Sequence, residues 1–268
     1  MSRVSKITVR KLRNMKQEGD KITMLTAYDA SFAQMLDQQK VDVILVGDSL
    51  GMVIQGHEST VSVTMDDMVY HTKTVSPVCR HSLILGDLPF MSYTSKVDAI
   101  KNAARLMQEG GAQMVKLEGG EPQIENVTEL SRHGVPVCAH LGLQPQSVHK
   151  LGGYFVQGRD PKVAEKMLDD ALVLQDAGAD MVLLECVPVA LAEKITKALD
   201  VPVIGIGAGN VCDGQVLVLQ DMLGISKKAP SFSQDFLTGQ TEGISGAVKA
   251  YVEAVKSKAF PSEAQSFV

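Results

Sequence analysis

Four carboxylate side chains follow apolar runs that are typical of buried strands, and they are the first candidates for chemistry. They are Asp48 in "LVGDSLG", Asp87 in "LGDLP", Glu118 in "VKLEGG" and Glu185 in "LLECVP". Lys116 stands two residues before Glu118, so both side chains point to the same side of their strand. Four carboxylates in one place repel one another, and some stay protonated unless a bound cation neutralises them. The pattern therefore indicates a cation site.

A divalent cation held by carboxylates alone would be Mg²⁺ before Mn²⁺ or Ca²⁺, because these oxygens are hard ligands. Zinc would more often be bound by His or Cys. Mg²⁺ also keeps water ligands and open positions, which a chelating substrate can take.

Each candidate also has a purely structural interpretation. An acid at the end of a strand, such as Asp48 or Asp87, can cap the following helix. Lys116 can pair with Glu118 without any chemical role. His140 closes an apolar run and can be a hydrogen-bonded residue that takes no part in chemistry. The coincidence of four acids is what favours a functional site.

The elements that must position these residues are short β-rich apolar runs alternating with longer helical segments. The predicted strands cover 21–29, 41–49, 81–89, 112–120, 135–143, 179–187, 201–209 and, more weakly, 215–221, where the chain could also be helical. The predicted helices cover 30–39, 64–76, 95–109, 122–133, 162–177, 189–199 and 241–258, after an N-terminal helix at roughly 8–17.

Eight strands that are apolar on both faces and joined by helices predict a parallel sheet covered on both sides. Eight strands close a (β/α)₈ TIM barrel, for which 268 residues is a usual length, and an open doubly wound sheet is the alternative. No low-complexity linker divides the chain, so we expect one α/β domain over 1–268. It would carry a helical extension at 1–20 and the last helix and tail at 241–268. In a barrel the strand ends meet at one mouth, where the acids would converge.

Composition limits the partners of this protein. The formal net charge of −5 argues against nucleic acid, which is bound by basic surfaces. No apolar stretch approaches the roughly 18–20 residues that span a bilayer. The basic N-terminal segment lacks the apolar core of a secretory signal. The four cysteines show no CxxC spacing. We therefore expect a cytoplasmic protein that acts on small molecules, with no nucleic-acid or membrane partner.

Three glycine-containing segments have ambiguous roles. "GIGAGN" (205–210) lacks the third glycine of a dinucleotide fingerprint, so we expect close packing at a strand end instead. "LGGYFVQGR" (151–159) is either a mobile lid or a solvated loop. "GHESTVSVT" (56–64) leaves the same two interpretations open.

Several long segments resemble the ketopantoate hydroxymethyltransferase family, among them "TAYD", "VGDSLGMVIQGHESTVSVT", "DLPFMSY", "MVKLEGG", "VPVCAHLGLQPQSV", "GGYFVQGR" and "LLECVP". The resemblance runs in order from about residue 20 to the "FPSEAQSF" tail. It implies a TIM barrel of the phosphoenolpyruvate/pyruvate superfamily type. The implied enzyme makes ketopantoate from 3-methyl-2-oxobutanoate (2-oxoisovalerate) and 5,10-methylenetetrahydrofolate, towards pantothenate and coenzyme A. A homodecamer is implied as well.

The resemblance also implies residue roles. One Mg²⁺ per subunit would be bound by three acids: Asp48, Asp87 and Glu118. The oxo acid would be bound by four residues: Asp48, Ser49, Asp87 and Lys116. Glu185 would be the catalytic proton acceptor, and methylenetetrahydrofolate would be the co-substrate.

Two other functions remain open from the sequence. One is a Mg²⁺-dependent C–C lyase or mutase of the isocitrate lyase and phosphoenolpyruvate mutase kind, although the Lys-Lys-Cys-Gly-His loop of those lyases is absent. The other is a non-catalytic barrel, which predicts that the acids could be neutralised without any effect on metal binding.

Overall fold

A computed structural model describes residues 5–268, and its eight strands form one closed parallel barrel. Each strand pairs with the next one along the chain, and β8 (Gly214–Leu217) pairs with β1 (Ile22–Thr26) to complete the ring. The predicted (β/α)₈ barrel is confirmed and the open sheet is excluded. Residues 1–4 of the predicted N-terminal extension lie outside the described residues.

Helices separate most of the strands along the chain. Besides β1 and β8, the barrel contains the strands β2 (Val43–Val46), β3 (Leu83–Asp87), β4 (Met114–Glu118), β5 (Val137–Gly142), β6 (Met181–Glu185) and β7 (Val203–Ile206). The helices are α1 (Val9–Glu18), α2 (Ala30–Gln38), α3 (Leu50–Val53), α4 (Met65–Val75), α5 (Lys96–Gln108), α6 (Ile124–Arg132), α7 (Val148–Leu151), α8 (Pro161–Asp176), α9 (Val189–Ala198), α10 (Leu219–Met222) and α11 (Gly243–Lys256).

The predicted helices are all present, whereas the strands are shorter than predicted. The predicted runs included polar residues that lie in the loops after the strands. Asp48, for example, follows the end of β2 at Val46 instead of lying within the strand. The weak eighth strand is real but ends at Leu217, and the chain then forms the short helix α10.

The last helix, α11, contacts β1 and β8, the two strands whose pairing closes the barrel. Tyr251 of α11 is fully buried, and its hydroxyl oxygen lies 3.0 Å from the main-chain oxygens of Met24 and Gln215. Met24 belongs to β1 and Gln215 to β8.

The first helix, α1, buries Leu12 and Met15. Each such aliphatic side chain stabilises the fold by about 1.5–3 kcal/mol when it is fully buried.

Side-chain caps fix where several helices begin. Thr64 and Asp67 form the capping box of α4 that their spacing predicts. Ser95 caps α5, and α3 begins without a side-chain cap. Asp48 and Asp87 therefore do not serve as helix caps, and the structural interpretation of these two acids is wrong.

The described part of the chain contains no helix that is long and apolar enough to cross a membrane. The four cysteines are buried and unbridged. Cys138 and Cys186 pack within the hydrophobic core.

Candidate active site

The predicted site residues converge on one cavity of about 1130 Å³ at the carboxyl ends of the strands. Its polar lining includes all of them, and it also includes His140; the predicted residues are Asp48, Ser49, Asp87, Lys116, Glu118 and Glu185. Most are almost completely buried, while Ser49 and Glu185 are partly exposed. The barrel thus collects residues that are far apart in the sequence, as the alternation of strands and helices predicted.

Asp48 forms hydrogen bonds with two neighbouring residues, the acid Asp87 and the side-chain amide of Gln146. Its main-chain N–H donates to Asp87 Oδ2 at 3.1 Å, and its Oδ2 accepts from Gln146 Nε2 at 2.8 Å. Burial, together with the nearby carboxylates of Asp87 and Glu118, raises the pKa of Asp48 to about 8. Ionised Asp48 is therefore costly in this cluster unless further positive charge is present.

Lys116 neutralises part of the acidic cluster. Its Nζ lies 2.8 Å from Asp87 Oδ1, and the two residues are register partners on adjacent strands. Lys116 thus pairs across the sheet with Asp87, whereas the structural interpretation of the sequence had paired it with Glu118. Burial lowers the pKa of Lys116, but the charges of Asp87, Glu118 and Asp48 outweigh it and raise the pKa above its ordinary value.

His140 lies between two of the acids. Its Nδ1 is 3.5 Å from Glu118 Oε1 and its Nε2 is 3.3 Å from Glu185 Oε2. Burial lowers the pKa of His140, but the two carboxylates outweigh it and raise the pKa to about 9. His140 therefore lies between the buried Glu118 and the more exposed Glu185 and links the two carboxyl groups.

Gln146, which the sequence did not single out, organises the centre of the site. Its side-chain amide donates to Asp48 Oδ2 and to the main-chain oxygen of Leu88, and its Oε1 accepts from the Tyr93 hydroxyl at 2.5 Å. Its main-chain N–H donates to Glu118 Oε2 at 3.1 Å. One residue in the loop after β5 thus contacts two of the predicted metal ligands. The sequence signals were its position in a loop at the carboxyl end of a strand and its place in the segment "VPVCAHLGLQPQSV", which resembles the family.

Ser49 is oriented by a tyrosine. Its Oγ lies 2.8 Å from the hydroxyl of Tyr28, a residue of the "TAYD" segment. A Cβ on Gly47 would lie 2.9 Å from Ser49 Oγ and 3.4 Å from Asp87 Oδ2. The glycine of the "VGDS" segment therefore leaves room for Ser49 and Asp87 to approach the backbone.

The donor chemistry of this cluster fits Mg²⁺. Four carboxyl groups face two basic groups, Lys116 and His140, so the acids outnumber the bases by two. Glu118 Oε1 is buried and accepts no hydrogen bond. Across residues 5–268, however, no three His, Cys, Asp or Glu side chains stand close enough together to hold a metal ion by themselves. Mg²⁺ suits such a site because proteins bind it through one or two carboxylates, and waters and substrate complete its coordination.

A segment that we call the strap, residues 152–159, crosses the rim of the cavity after α7. Its Tyr154 hydroxyl donates to Met52 Sδ at 3.7 Å, and the main-chain N–H of Gln157 donates to the main-chain oxygen of Cys186 at 2.8 Å. The second contact fixes the strap beside the carboxyl end of β6, because Cys186 directly follows that strand. The two interpretations of this segment, a mobile lid and a solvated loop, both stay predictions.

The "GIGAGN" segment is closely packed, in line with its predicted role. Gly207 has a φ of 63°, in the left-handed region that glycine adopts without strain. A Cβ at this position would lie 2.9 Å from Phe232 and 3.0 Å from Phe267. The glycine therefore lets two aromatic side chains pack over the end of β7.

The sequence profile of ketopantoate hydroxymethyltransferase matches residues 6–263. The chain belongs to the ketopantoate hydroxymethyltransferase family. A 3-methyl-2-oxobutanoate hydroxymethyltransferase from Nitrosococcus oceani is 62% identical over 96% of this chain and 98% of its own length. One from Alkalilimnicola ehrlichii is 58% identical, over 97% of this chain and 94% of the relative. This family relationship, predicted from the motifs, is confirmed.

Solved structures that resemble this member of the ketopantoate hydroxymethyltransferase family share its fold at low sequence identity. Phosphonopyruvate hydrolase, solved with oxalate and Mg²⁺, is 11% identical and has a TM-score of 0.60 over 78% of this chain and 80% of its own. A 2,3-dimethylmalate lyase of the phosphoenolpyruvate mutase/isocitrate lyase superfamily is 14% identical, with a TM-score of 0.58 over 94% of this chain and 97% of its own. These likenesses support the (β/α)₈ barrel fold.

Proposed function

We propose that this chain transfers a hydroxymethyl group from 5,10-methylenetetrahydrofolate to 3-methyl-2-oxobutanoate, giving ketopantoate for the synthesis of pantothenate and coenzyme A. The observation that carries this proposal is the buried acidic cluster around Lys116, which shares one cavity with the partly exposed Glu185. The names of the relatives at 62% and 58% identity support the same reaction.

Asp48, Asp87 and Glu118 would surround the metal ion, and water and substrate would complete its coordination, because no three such side chains among residues 5–268 stand close enough to hold it by themselves. A bound Mg²⁺ would polarise the keto group of the oxo acid and stabilise the negative charge that develops there. Lys116 would add a positive charge beside the substrate, because its pairing with Asp87 keeps the ammonium group within the cavity wall. Ser49, oriented by its contact with Tyr28, would bind the carboxylate of the oxo acid through its hydroxyl.

Glu185 would be the general base. Its side chain is 15% exposed, against 3% for Glu118, so a substrate in the cavity reaches it more easily. His140 would orient this carboxylate from behind through the 3.3 Å contact between Nε2 and Oε2. A base must lie within reach of the proton that it removes, and Glu185 is the acid that best meets this condition.

Glu185 takes the proton from C3 of the oxo acid, and C3 forms a new bond to the methylene carbon of the folate. The two bonds between the methylene carbon and the folate nitrogens break, water supplies the hydroxyl group of the product, and tetrahydrofolate leaves with one proton from water and the proton that Glu185 removed. The strap would limit the access of bulk water, because Tyr154 reaches Met52 on the other side of the rim.

A Mg²⁺-dependent lyase or mutase is the alternative within the same fold. It is supported only by the likeness to solved structures at 11–15% identity, which concerns the fold and not the reaction. The homodecamer and the cytoplasmic location stay predictions.

The decisive experiment follows the C3 proton of 3-methyl-2-oxobutanoate in deuterated water by NMR. We expect Mg²⁺-dependent exchange without folate, loss of exchange with EDTA, and ketopantoate only after methylenetetrahydrofolate is added. Absence of exchange with Mg²⁺ present would contradict the proposed proton abstraction. Exchange without ketopantoate would contradict the folate as donor.

A further inference from the structure

The residue that directly follows Glu185 has an unusual backbone conformation. Cys186 has a φ of 49°, in the left-handed region that residues with a Cβ seldom adopt. Its main-chain N–H donates to the main-chain oxygen of Ile206 at 2.9 Å, and its own main-chain oxygen accepts from the N–H of Gln157 in the strap. A strained conformation of this kind persists only where the surrounding structure holds it. The contacts of the stretch after Glu185 therefore help to fix the position of that carboxylate.

The start of α9, which belongs to the same stretch, is bound by a segment that is distant in the sequence. Residues 262–268 follow α11, and the main-chain oxygen of Phe267 accepts from the main-chain N–H of Val189 at 2.9 Å. The Nε of Arg159 in the strap donates to the main-chain oxygen of Val268 at 3.2 Å. The segment 262–268 thus contacts both the stretch after β6 and the strap.

The ring of Phe267 forms part of the cavity wall on the side of the proposed base. It lines the same cavity as Glu185, and it lies 3.0 Å from the position that a Cβ on Gly207 would take. Gly207 directly follows Ile206, the register partner of Glu185 on β7. The ring also meets Phe232 edge to face, with the ring centroids 6.4 Å apart. These contacts hold the segment 262–268 against the mouth of the barrel.

We propose that Phe267 is a positioning residue of this enzyme, through which residues 262–268 hold the stretch after Glu185 and close the cavity wall beside this carboxylate. The inference rests on the proposed function, because it takes Glu185 as the base that removes the C3 proton. While the wall is closed, bulk water is kept from Glu185, and the deprotonated oxo acid lasts until it attacks the methylene carbon. Detachment of the segment would admit water, and the oxo acid would regain a proton before the transfer.

The test measures how the deprotonated oxo acid partitions in deuterated water when Mg²⁺, 3-methyl-2-oxobutanoate and methylenetetrahydrofolate are all present. NMR gives the deuterium at C3 of the remaining oxo acid and the amount of ketopantoate formed. We expect Phe267→Ala to raise the ratio of deuterium to product about threefold to tenfold, the factor by which loss of an aromatic pair weakens attachment of the segment. A variant that is only less stable contains less active enzyme, which lowers both quantities together and leaves their ratio unchanged.

Amide hydrogen exchange gives a second measurement that needs no substrate. The main-chain N–H of Val189 should exchange faster in Phe267→Ala, because the oxygen that accepts its hydrogen bond is no longer held in place. The matched control is Tyr70→Ala, which removes an exposed aromatic ring of α4 that meets His71 edge to face, outside the cavity lining. This control should keep the wild-type ratio and the wild-type exchange at Val189.

Phe267→Leu keeps an apolar side chain against Gly207 and should raise the ratio less than Phe267→Ala does. It carries the same comparison if thermal melting shows that the alanine variant does not fold. A wild-type ratio in the folded variants would overturn the inference, and so would unchanged exchange at Val189. The proposed function fails separately, through absence of both C3 deuterium and ketopantoate in the wild type, and the role of Phe267 then falls with it.

Discussion

The ammonium group of Lys116 lies 2.8 Å from Asp87 Oδ1, and both side chains are almost completely buried. The two residues are register partners on β3 and β4, so the pairing of strands brings them together. Breaking a buried pair of this kind leaves a charge without compensation, which is costly in the protein interior. Asp87 therefore balances Lys116 and also accepts a hydrogen bond from the main-chain N–H of Asp48.

Replacing Asp87 by Asn should weaken Mg²⁺ binding at least about tenfold, because the variant loses a hard anionic ligand. Calorimetric titration of the protein with Mg²⁺ alone measures the effect. The control is Asp66→Asn, an exposed acid that pairs with Arg105 on the outer surface, and its Mg²⁺ affinity should match the wild type. Equal affinities in Asp87→Asn and the wild type would show that Asp87 is not a ligand.

Replacing Glu185 by Gln should slow the folate-independent exchange of the C3 proton by about a hundredfold or more, as expected when a general base is removed. Mg²⁺ binding should persist, because Glu185 is not among the proposed ligands. NMR in deuterated water measures the exchange rate. Glu193→Gln, an exposed acid of α9 that pairs with Lys197, is the matched control and should exchange normally. Normal exchange in Glu185→Gln would remove this residue from the role of base.

Replacing Gln146 by Leu should lower both stability and metal affinity. The change leaves the buried Asp48 Oδ2 and the Tyr93 hydroxyl without their partner, at a cost of about 1–3 kcal/mol in the free energy of unfolding. Mg²⁺ affinity should fall about tenfold, since residues that orient metal ligands have effects of this size. Urea unfolding and Mg²⁺ titration measure the two quantities. Gln144→Leu, two residues away and half-buried, serves as control. Wild-type Mg²⁺ affinity in Gln146→Leu would show that Asp48 needs no such support.

Replacing Asp37 by Asn should reduce stability at neutral pH more than in acid. The Asp37 carboxylate accepts from the main-chain N–H groups of Arg80, His81 and Ser82 at 3.0, 2.8 and 2.8 Å. Burial raises the pKa of Asp37, but these hydrogen bonds outweigh it and hold the pKa below its ordinary value. A lowered pKa in the folded state gives stability that is present above the unfolded pKa of about 3.9 and is lost as the pH falls further.

The expected loss for Asp37→Asn at pH 7 is therefore about 1–3 kcal/mol in the free energy of unfolding, the size of a lost charge-assisted hydrogen bond. The difference between variant and wild type should shrink below about pH 4, where the carboxylate of the unfolded chain becomes protonated while the native carboxylate stays ionised to a lower pH. Urea unfolding at both pH values measures it. Asp169→Asn, an exposed acid on α8, should change stability little at either pH. A pH-independent difference for Asp37→Asn would contradict the role of the charge.

The sequence by itself determined the barrel and the acids of its mouth. Apolar runs of strand length separated by helical periodicity leave few parallel arrangements, and acids that follow such runs must meet where the strands end. Asp48, Asp87, Glu118 and Glu185 could therefore be assigned to one cavity from their spacing alone, and the family motifs then suggested a role for each.

Only the tertiary structure decided which side chains contact each other within that mouth. The pairing of Lys116 with Asp87 depends on the register between two strands, and the contacts of His140 with Glu118 and Glu185 depend on three strands at once. Gln146 lies in a loop whose path no periodicity encodes, yet its amide contacts Asp48 across the barrel. Contacts between residues 28 to 98 positions apart in the chain are set by packing of the whole barrel, so local sequence could indicate the site but not its internal bonds.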